Sequence, residues 1–182
     1  MKGISGEEEI KEAINSLNID SAPAPDGFPG SFYSDGWDLI KEEVIEAVQD
    51  YFKGRALPRA TTSTILVLSL KVSQPNGFDQ FCPISMCNFS YKVLATILNK
   101  RLGFYLGLQI PDKQHGFIKG RSLQRAIGLT QEMISDIVCK VVGSNIMVKT
   151  DMEKVYVRLE WGFILKIFRK CGFFEWTYDL LF

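Results

Sequence analysis

The chain has 182 residues, 46% of them hydrophobic and 23% charged, with 21 basic and 21 acidic side chains. These proportions exclude a disordered or collagen-like chain and fit a folded protein long enough to bury about 70% of its unfolded surface. The longest unbroken aliphatic stretch is Ile65 to Leu68 and the N-terminus has no apolar core, which predicts a soluble, intracellular protein without a membrane span or signal peptide.

Four cysteines, Cys82, Cys87, Cys139 and Cys171, stand too far apart for paired Cys-x-x-Cys knuckles, and one His115 cannot complete a zinc set. Disulfide scaffold and structural zinc both fall away.

Ser5 followed by Glu8 has the form of a capping box, and Ile10, Ala13, Ile14 and Leu17 recur at helical spacing after it. A first short helix is expected there. Ser21 to Gly30 (SAPAPDGFPG) holds three prolines and two glycines, which predicts an ordered turn or a linker. Trp37, Ile40, Val44, Val48 and Tyr51 form the stripe of a second helix closed near Gly54. Thr64 to Leu70 (TILVLSL) is a nearly continuous apolar run with β-branched members, the pattern of a strand buried on both faces. Asn76-Gly77 signals a reversal, and Pro83 to Cys87 is too brief to classify.

Asn88 can cap a third helix with the stripe Tyr91, Leu94, Leu98, Leu102 and Tyr105. Ser122 can cap a fourth carrying Ala126, Leu129, Met133 and Ile137. Asn145 to Thr150 alternates in polarity and reads as a strand delivering Asp151 at its C-terminal end. A last helix, Trp161, Ile164, Leu165 and Phe168, ends at Cys171 with Gly172 in the left-handed cap position. The order predicts an α+β fold, helices segregated from a small sheet.

Charge is segregated despite the zero net. Residues 1–50 carry 3 basic and 12 acidic side chains, whereas residues 92–125 carry 7 basic ones against Asp112 alone. Such a basic block attracts phosphates; the competing reading is a solvated helix face. Nucleotide-binding P-loop and dinucleotide fingerprints are absent. Gly116 to Ser122 (GFIKGRS) precedes the fourth predicted helix, so backbone N–H groups, the helix dipole, Lys119 and Arg121 could face an anion. An ordinary glycine-rich loop with solvated cations is the alternative. Asp151 offers the hard oxygen that Mg²⁺ requires, or else an exposed cap for the next helix.

The segments EEEIKEAINSLNIDSAPAPDGFPGSFY (7–33), TSTILVLSLK (62–71), FCPISMCNFSYKVLATILNKRL (81–102), QHGFIKGRSL (114–123) and VKTDMEKVYVRLEW (148–161) follow one another in an order and spacing that resembles the reverse transcriptase of LINE-type non-LTR retrotransposons, particularly the plant kind. The resemblance implies an RNA-directed DNA polymerase of right-hand form, with residues 1–144 as fingers and 145–182 as the start of the palm. It implies RNA template and primer DNA as partners and Mg²⁺ as cofactor. Asp151 then corresponds to a metal-binding aspartate with the backbone of Met152 beside it, and Tyr156 to the steric gate against a ribose 2′-hydroxyl. Lys71 resembles the lysine of the Ile-Pro-Lys finger motif. Gln114, Gly116, Lys119, Gly120 and Arg121 fall in the loop near template and incoming nucleotide.

The chain departs from that pattern where the chemistry lies. The finger motif Phe-Arg-Pro-Ile-Ser reads Phe81-Cys82-Pro83-Ile84-Ser85, a neutral thiol in place of a bidentate phosphate clamp. Ile-Pro-Lys reads Ser69-Leu70-Lys71, Pro-Gly-Pro-Asp-Gly reads Pro23-Ala24-Pro25-Asp26-Gly27, and Ala-Tyr-Asp-Arg reads Val155-Tyr156-Val157-Arg158. No Tyr-x-Asp-Asp follows Asp151, and Glu153, Glu160, Glu175 and Asp179 offer no adjacent pair. The expectation is a truncated domain without catalytic competence, with residual RNA binding as the alternative function. Its apolar C-terminal residues and open palm edge are expected to favour self-association.

Overall fold

The computed structural model describes residues 5–118, 120–137, 146–148, 150 and 158–173. The described elements are α1 (Glu7–Ser16), α2 (Gly30–Asp35), α3 (Trp37–Phe52), α4 (Arg59–Thr62), β1 (Thr64–Leu70), a 3-10 turn at Phe78–Gln80, β2 (Phe81–Cys87), α5 (Phe89–Gln109), α6 (Leu123–Asp136) and α7 (Trp161–Lys170). They make an α+β chain whose described sheet is the antiparallel pair of β1 and β2. The chain divides into two compact units, the first reaching Leu102 and the second beginning at Gly103. The boundary expected at 144 falls inside the second unit, outside the described residues.

The core of the first unit follows from helical periodicity. Ile10, Ala13 and Ile14 of α1 and Phe89, Val93, Leu94 and Ile97 of α5 are buried, as are Tyr33, Trp37 and Val48. Leu17, Ile40, Val44, Tyr51 and Phe52 pack around them. The ring of Tyr33 stacks on Phe89 at 5.0 Å between centroids. Three glutamates, Glu7, Glu8 and Glu9, occupy the first turn of α1, where their charge complements the helix dipole. The buried face of α5 runs through Phe89, Val93, Leu94, Ile97, Leu98 and Leu102, while Tyr91 and Tyr105 of the expected stripe are exposed. The face is rotated because Phe89, stacked on Tyr33, and Val93 fill the core.

The expected capping box does not form. Gly6 is the N-cap of α1 and no side chain caps it. The Ser5 hydroxyl is fully buried and accepts from Arg101 Nη2–H at 2.9 Å. Arg101 also reaches Glu9 in a fork, Nε–H to Oε1 at 2.9 Å and Nη2–H to Oε2 at 2.6 Å, and its guanidinium lies 4.4 Å from the centroid of the Phe52 ring. The Arg101 hydrogen bond holds the Glu9 carboxyl below its ordinary value, against the opposing effect of burial. Lys100 pairs with Glu12 at 3.2 Å. Two cations of the basic block are therefore used inside the fold, joining α5 to the acidic α1.

Asn88 accepts the Lys92 backbone N–H through its carbonyl at 3.1 Å, as the residue before α5 should. Its buried side chain ties three segments together instead of capping. Oδ1 accepts from the Asp26 N–H at 3.3 Å, and Nδ2 donates to Ala60 O at 2.7 Å and Thr61 O at 3.2 Å. The Pro/Gly-rich stretch is thus an ordered turn. Gly27, with φ of +76°, donates to Ala24 O at 2.9 Å, and the Asp26 carboxylate accepts from Phe28 N–H. At Gly30 a Cβ would stand 2.6 Å from Ile19 Cα and from the Phe89 ring, so only glycine fits the start of α2.

The strand expected at Thr64–Leu70 forms with those bounds, yet all seven residues are exposed. The expectation of burial on both faces is therefore corrected: among the described residues the ribbon has two strands and nothing covers either side. Pro83 lies opposite Leu68. Because Lys71 N–H donates to Gln80 O at 2.9 Å, ladder alternation makes Leu68 and Pro83 a pair without hydrogen bonds. The missing Pro83 N–H therefore costs the ribbon nothing.

In the second unit, α7 carries no buried residues, and neither do Leu123 to Ser135 of α6. Gly172, with φ of +77°, ends α7 as expected. Its N–H donates to Arg169 O at 3.0 Å and the Phe173 N–H to Phe168 O at 3.1 Å, while the Phe168 and Phe173 rings meet at 4.9 Å. These are the two bonds and the apolar contact of a Schellman motif. The Gln109 side-chain amide donates to Cys171 O at 2.7 Å, linking the ends of α5 and α7. The expected strand before Asp151 is not seen at Ile146–Val148 or Thr150, which have no strand pairing among the described residues.

Candidate nucleic-acid interface

A helix leaves its last carbonyls without intrahelical partners, and α5 ends at Gln109 where the next turn cannot continue through Pro111. Arg121 supplies the missing donors. Its Nη2–H group donates to Ile110 O at 2.9 Å and to Gly107 O at 3.4 Å, and Nη1–H to Pro111 O at 2.6 Å and Gln114 O at 2.7 Å. Asp112 is 3.4 Å away as a weak exposed counter-charge. The Arg121 side chain is only 16% exposed. Its planar fork is used on backbone oxygens, which fixes both ends of the loop between α5 and α6.

Two tight turns shape that loop. Gln114 N–H donates to Pro111 O at 3.0 Å, and Arg121 N–H to Ile118 O at 3.2 Å. Gly120 has φ of +84°, the sign a type II turn requires at its third position. Phe117 is the positive-φ residue among the described non-glycines, at +62°, and its ring is fully exposed. The Gln114 side-chain amide reaches Gly116 O at 3.4 Å. Ser122 precedes α6 without a capping bond, its hydroxyl donating to Gln124 Oε1 at 2.8 Å. Gln114, Gly116, Gly120 and Arg121 are thus brought together in one loop. Asp112 and Phe117 belong to it as well and were not singled out by sequence. Phe117 was legible only as an aromatic between glycines in a basic stretch.

Lys71 belongs to the first unit, at the end of β1, where its exposed ammonium donates to Asp79 O at 3.4 Å. Of the basic block, Lys92, Lys113 and Arg125 make no ion pair among the described residues. Lys119, Asp151, Met152 and Tyr156 lie outside the described residues. Among the described residues no group of three or more His, Cys, Asp or Glu side chains could hold a metal ion. No helix among them is long and apolar enough to cross a membrane.

The first unit also contains a cavity of about 460 Å³ whose walls include Tyr33, Val44, Tyr51, Leu57, Ser90 and Leu94. Burial pushes the Tyr51 phenol up to about 12, with Tyr91 adding to the effect. Burial likewise raises Tyr33, partly offset by its hydrogen bond with Ser90. Both phenols stay protonated at neutral pH and neither is poised for proton transfer.

No protein-family model matches the chain. The chain is similar to the transposon TX1 uncharacterized 149 kDa protein of Xenopus laevis, at 21% identity over 159 residues. The similarity covers 87% of this chain and 12% of that protein's length. The chain is thus distantly related to a transposon protein and spans about one eighth of it.

Proposed function

We propose that the chain is a portion of a non-LTR retrotransposon reverse transcriptase domain and that it binds single-stranded RNA through the loop between α5 and α6. The observation that carries this reading is the similarity to a transposon protein across 87% of the chain. Three features support it: the ordered succession of finger-like and palm-like segments, a glycine-containing loop held at both ends by Arg121, and Lys113 and Arg125, which make no ion pair among the described residues, flanking it. In this reading Lys119 contacts phosphate, Arg121 positions the loop that presents Lys119, and Gln114 lies beside the strand. Lys71 contributes a separate cation at the end of the β ribbon.

For chemistry, the reading assigns Asp151 as one Mg²⁺ ligand, Met152 as its backbone neighbour, and Tyr156 as the sugar gate. A two-metal phosphoryl transfer needs several carboxylates around ions about 3.5–4 Å apart, and the 182 residues contain no Tyr-x-Asp-Asp pair. The donor set present in this polypeptide does not fit that site, and no catalytic step is assigned to it. Primer extension on a primed RNA template with Mg²⁺ or Mn²⁺ and deoxynucleotides tests this: no product above an Asp151→Ala control is expected. Extension that the substitution abolishes would overturn the non-catalytic part. Failure of the purified chain to retain labelled single-stranded RNA at low salt would overturn the binding part.

A further inference from the structure

A phenylalanine is an unsuitable occupant for the position it holds in the α5–α6 loop. Left-handed backbone crowds a Cβ, and bulky side chains rarely adopt it. Phe117 does so at φ of +62° between Gly116 and Ile118, with its ring fully exposed. The ring has no aromatic contact among the described residues, so neither local conformation nor packing accounts for it. The flanking structure imposes the geometry: the Pro111–Gln114 turn on one side, the Ile118–Arg121 turn on the other, and Arg121 bonded to the Pro111 and Gln114 carbonyls. Strain that its surroundings hold in place collects at sites that contact ligands.

An exposed aromatic ring within a run containing Lys113, Lys119 and Arg125 has the two components single-stranded nucleic acids select. Cations follow the phosphates, and a flat ring stacks on an unpaired base. Bases in a duplex are already stacked on each other and present no face. We infer that Phe117 is a stacking platform for an unpaired nucleobase of a bound single strand. This rests on the RNA-binding reading above and adds the residue that touches the bases. The left-handed turn aims the ring outward, and the Arg121 staple keeps the platform rigid before the strand arrives, which lowers the ordering cost of binding.

The test is fluorescence anisotropy with short labelled RNA, DNA of the same sequence, and an abasic oligomer that keeps the phosphates. Phe117→Ala is expected to weaken RNA binding by about fivefold or more, with Phe117→Trp within about twofold of wild type. The salt dependence should stay unchanged, because no charge is removed, and binding of the abasic oligomer should be unaffected. Phe117→Gly relieves the strain, so it should raise the urea midpoint while losing the same affinity as alanine, a combination a purely structural residue would not produce. An equal loss on DNA would assign the site to any unpaired base, and a loss on RNA alone to an RNA strand. Phe117→Ala binding RNA as tightly as wild type would overturn the inference, as would an equal loss on the abasic oligomer. If Lys119→Ala still weakened binding in the first of those cases, the RNA-binding reading would stand without the platform. Wild-type chain that binds no oligomer at low salt would remove both.

Discussion

Arg101→Met tests how the acidic N-terminal helix and the basic block hold the first unit together. The substitution keeps most of the apolar stem and removes the fork on Glu9, at 2.6 and 2.9 Å, the bond to the buried Ser5 hydroxyl, and the cation over Phe52 at 4.4 Å. Hydrogen bonds to charged groups contribute about 1.5–3 kcal/mol and an arginine over an aromatic ring about 0.5–1 kcal/mol. Partial exposure of Glu9, 31% for its side chain, places the expected loss at about 2–4 kcal/mol, a large share of the stability of an ordinary domain. The assay is urea denaturation followed by Trp37 fluorescence in a Trp161→Phe, Trp176→Phe background, so that the signal comes from the core of the first unit. Arg101→Lys keeps charge without the fork and should recover less than half of the loss. A double-mutant cycle with Glu9→Gln should show coupling above about 1 kcal/mol. If Arg101→Met stayed within about 0.5 kcal/mol of wild type, the ion pair would be a surface ornament and the account of the charge segregation would be wrong.

Other outcomes follow from the same packing. The Glu9 carboxyl sits below its ordinary 4.5 because of Arg101; its contribution is complete above pH 4.5 and disappears as the pH falls through the lowered folded value. Glu9→Gln should therefore reduce stability at neutral pH and flatten the acid limb of a stability–pH profile, and an unchanged limb would contradict the pairing. Gly30→Ala places a Cβ 2.6 Å from Ile19 Cα and should cost about 1–3 kcal/mol in urea unfolding; an unchanged midpoint would refute the close approach. Asn88→Ala strips the partners from Asp26 N–H and the Ala60 and Thr61 carbonyls and should cost about 1–3 kcal/mol. Asn88→Asp, which keeps the acceptor and loses the donors, should remain less stable than wild type.

Long, strongly periodic stretches were readable because burial repeats at the helical period. Ile10, Ala13 and Ile14 form the buried face of α1, and Gly172 supplies the left-handed end of α7, both as the sequence predicts. The helices α2 and α4, six and four residues long, were missed. Elements so short have little intrinsic helical preference and depend on tertiary contacts such as Gly30 against Ile19 and Asn88 against Ala60. The apolar run of β1 gave the strand and misled about its burial, since a continuous hydrophobic stretch states what a strand could bury and not what is there to cover it. Ser5 has the local form of a cap, but its partner is Arg101, far along the chain.

In the candidate interface, the glycines located the loop. Arg121 was readable as a cation and not as a staple, because the Gly107, Ile110, Pro111 and Gln114 carbonyls that it binds carry no side-chain signature. The charge imbalance similarly hid two jobs: Lys100 and Arg101 neutralise α1, while Lys113 and Arg125 make no ion pair among the described residues.

The salt dependence of affinity for single-stranded RNA tests the central claim most directly. If Lys113, Lys119 and Arg125 each displace a counterion, log affinity should fall against log salt with a slope of about −2, and Lys119→Ala should make it shallower by about 0.7. A slope near zero, or one that Lys119→Ala leaves unchanged, would contradict binding through this loop.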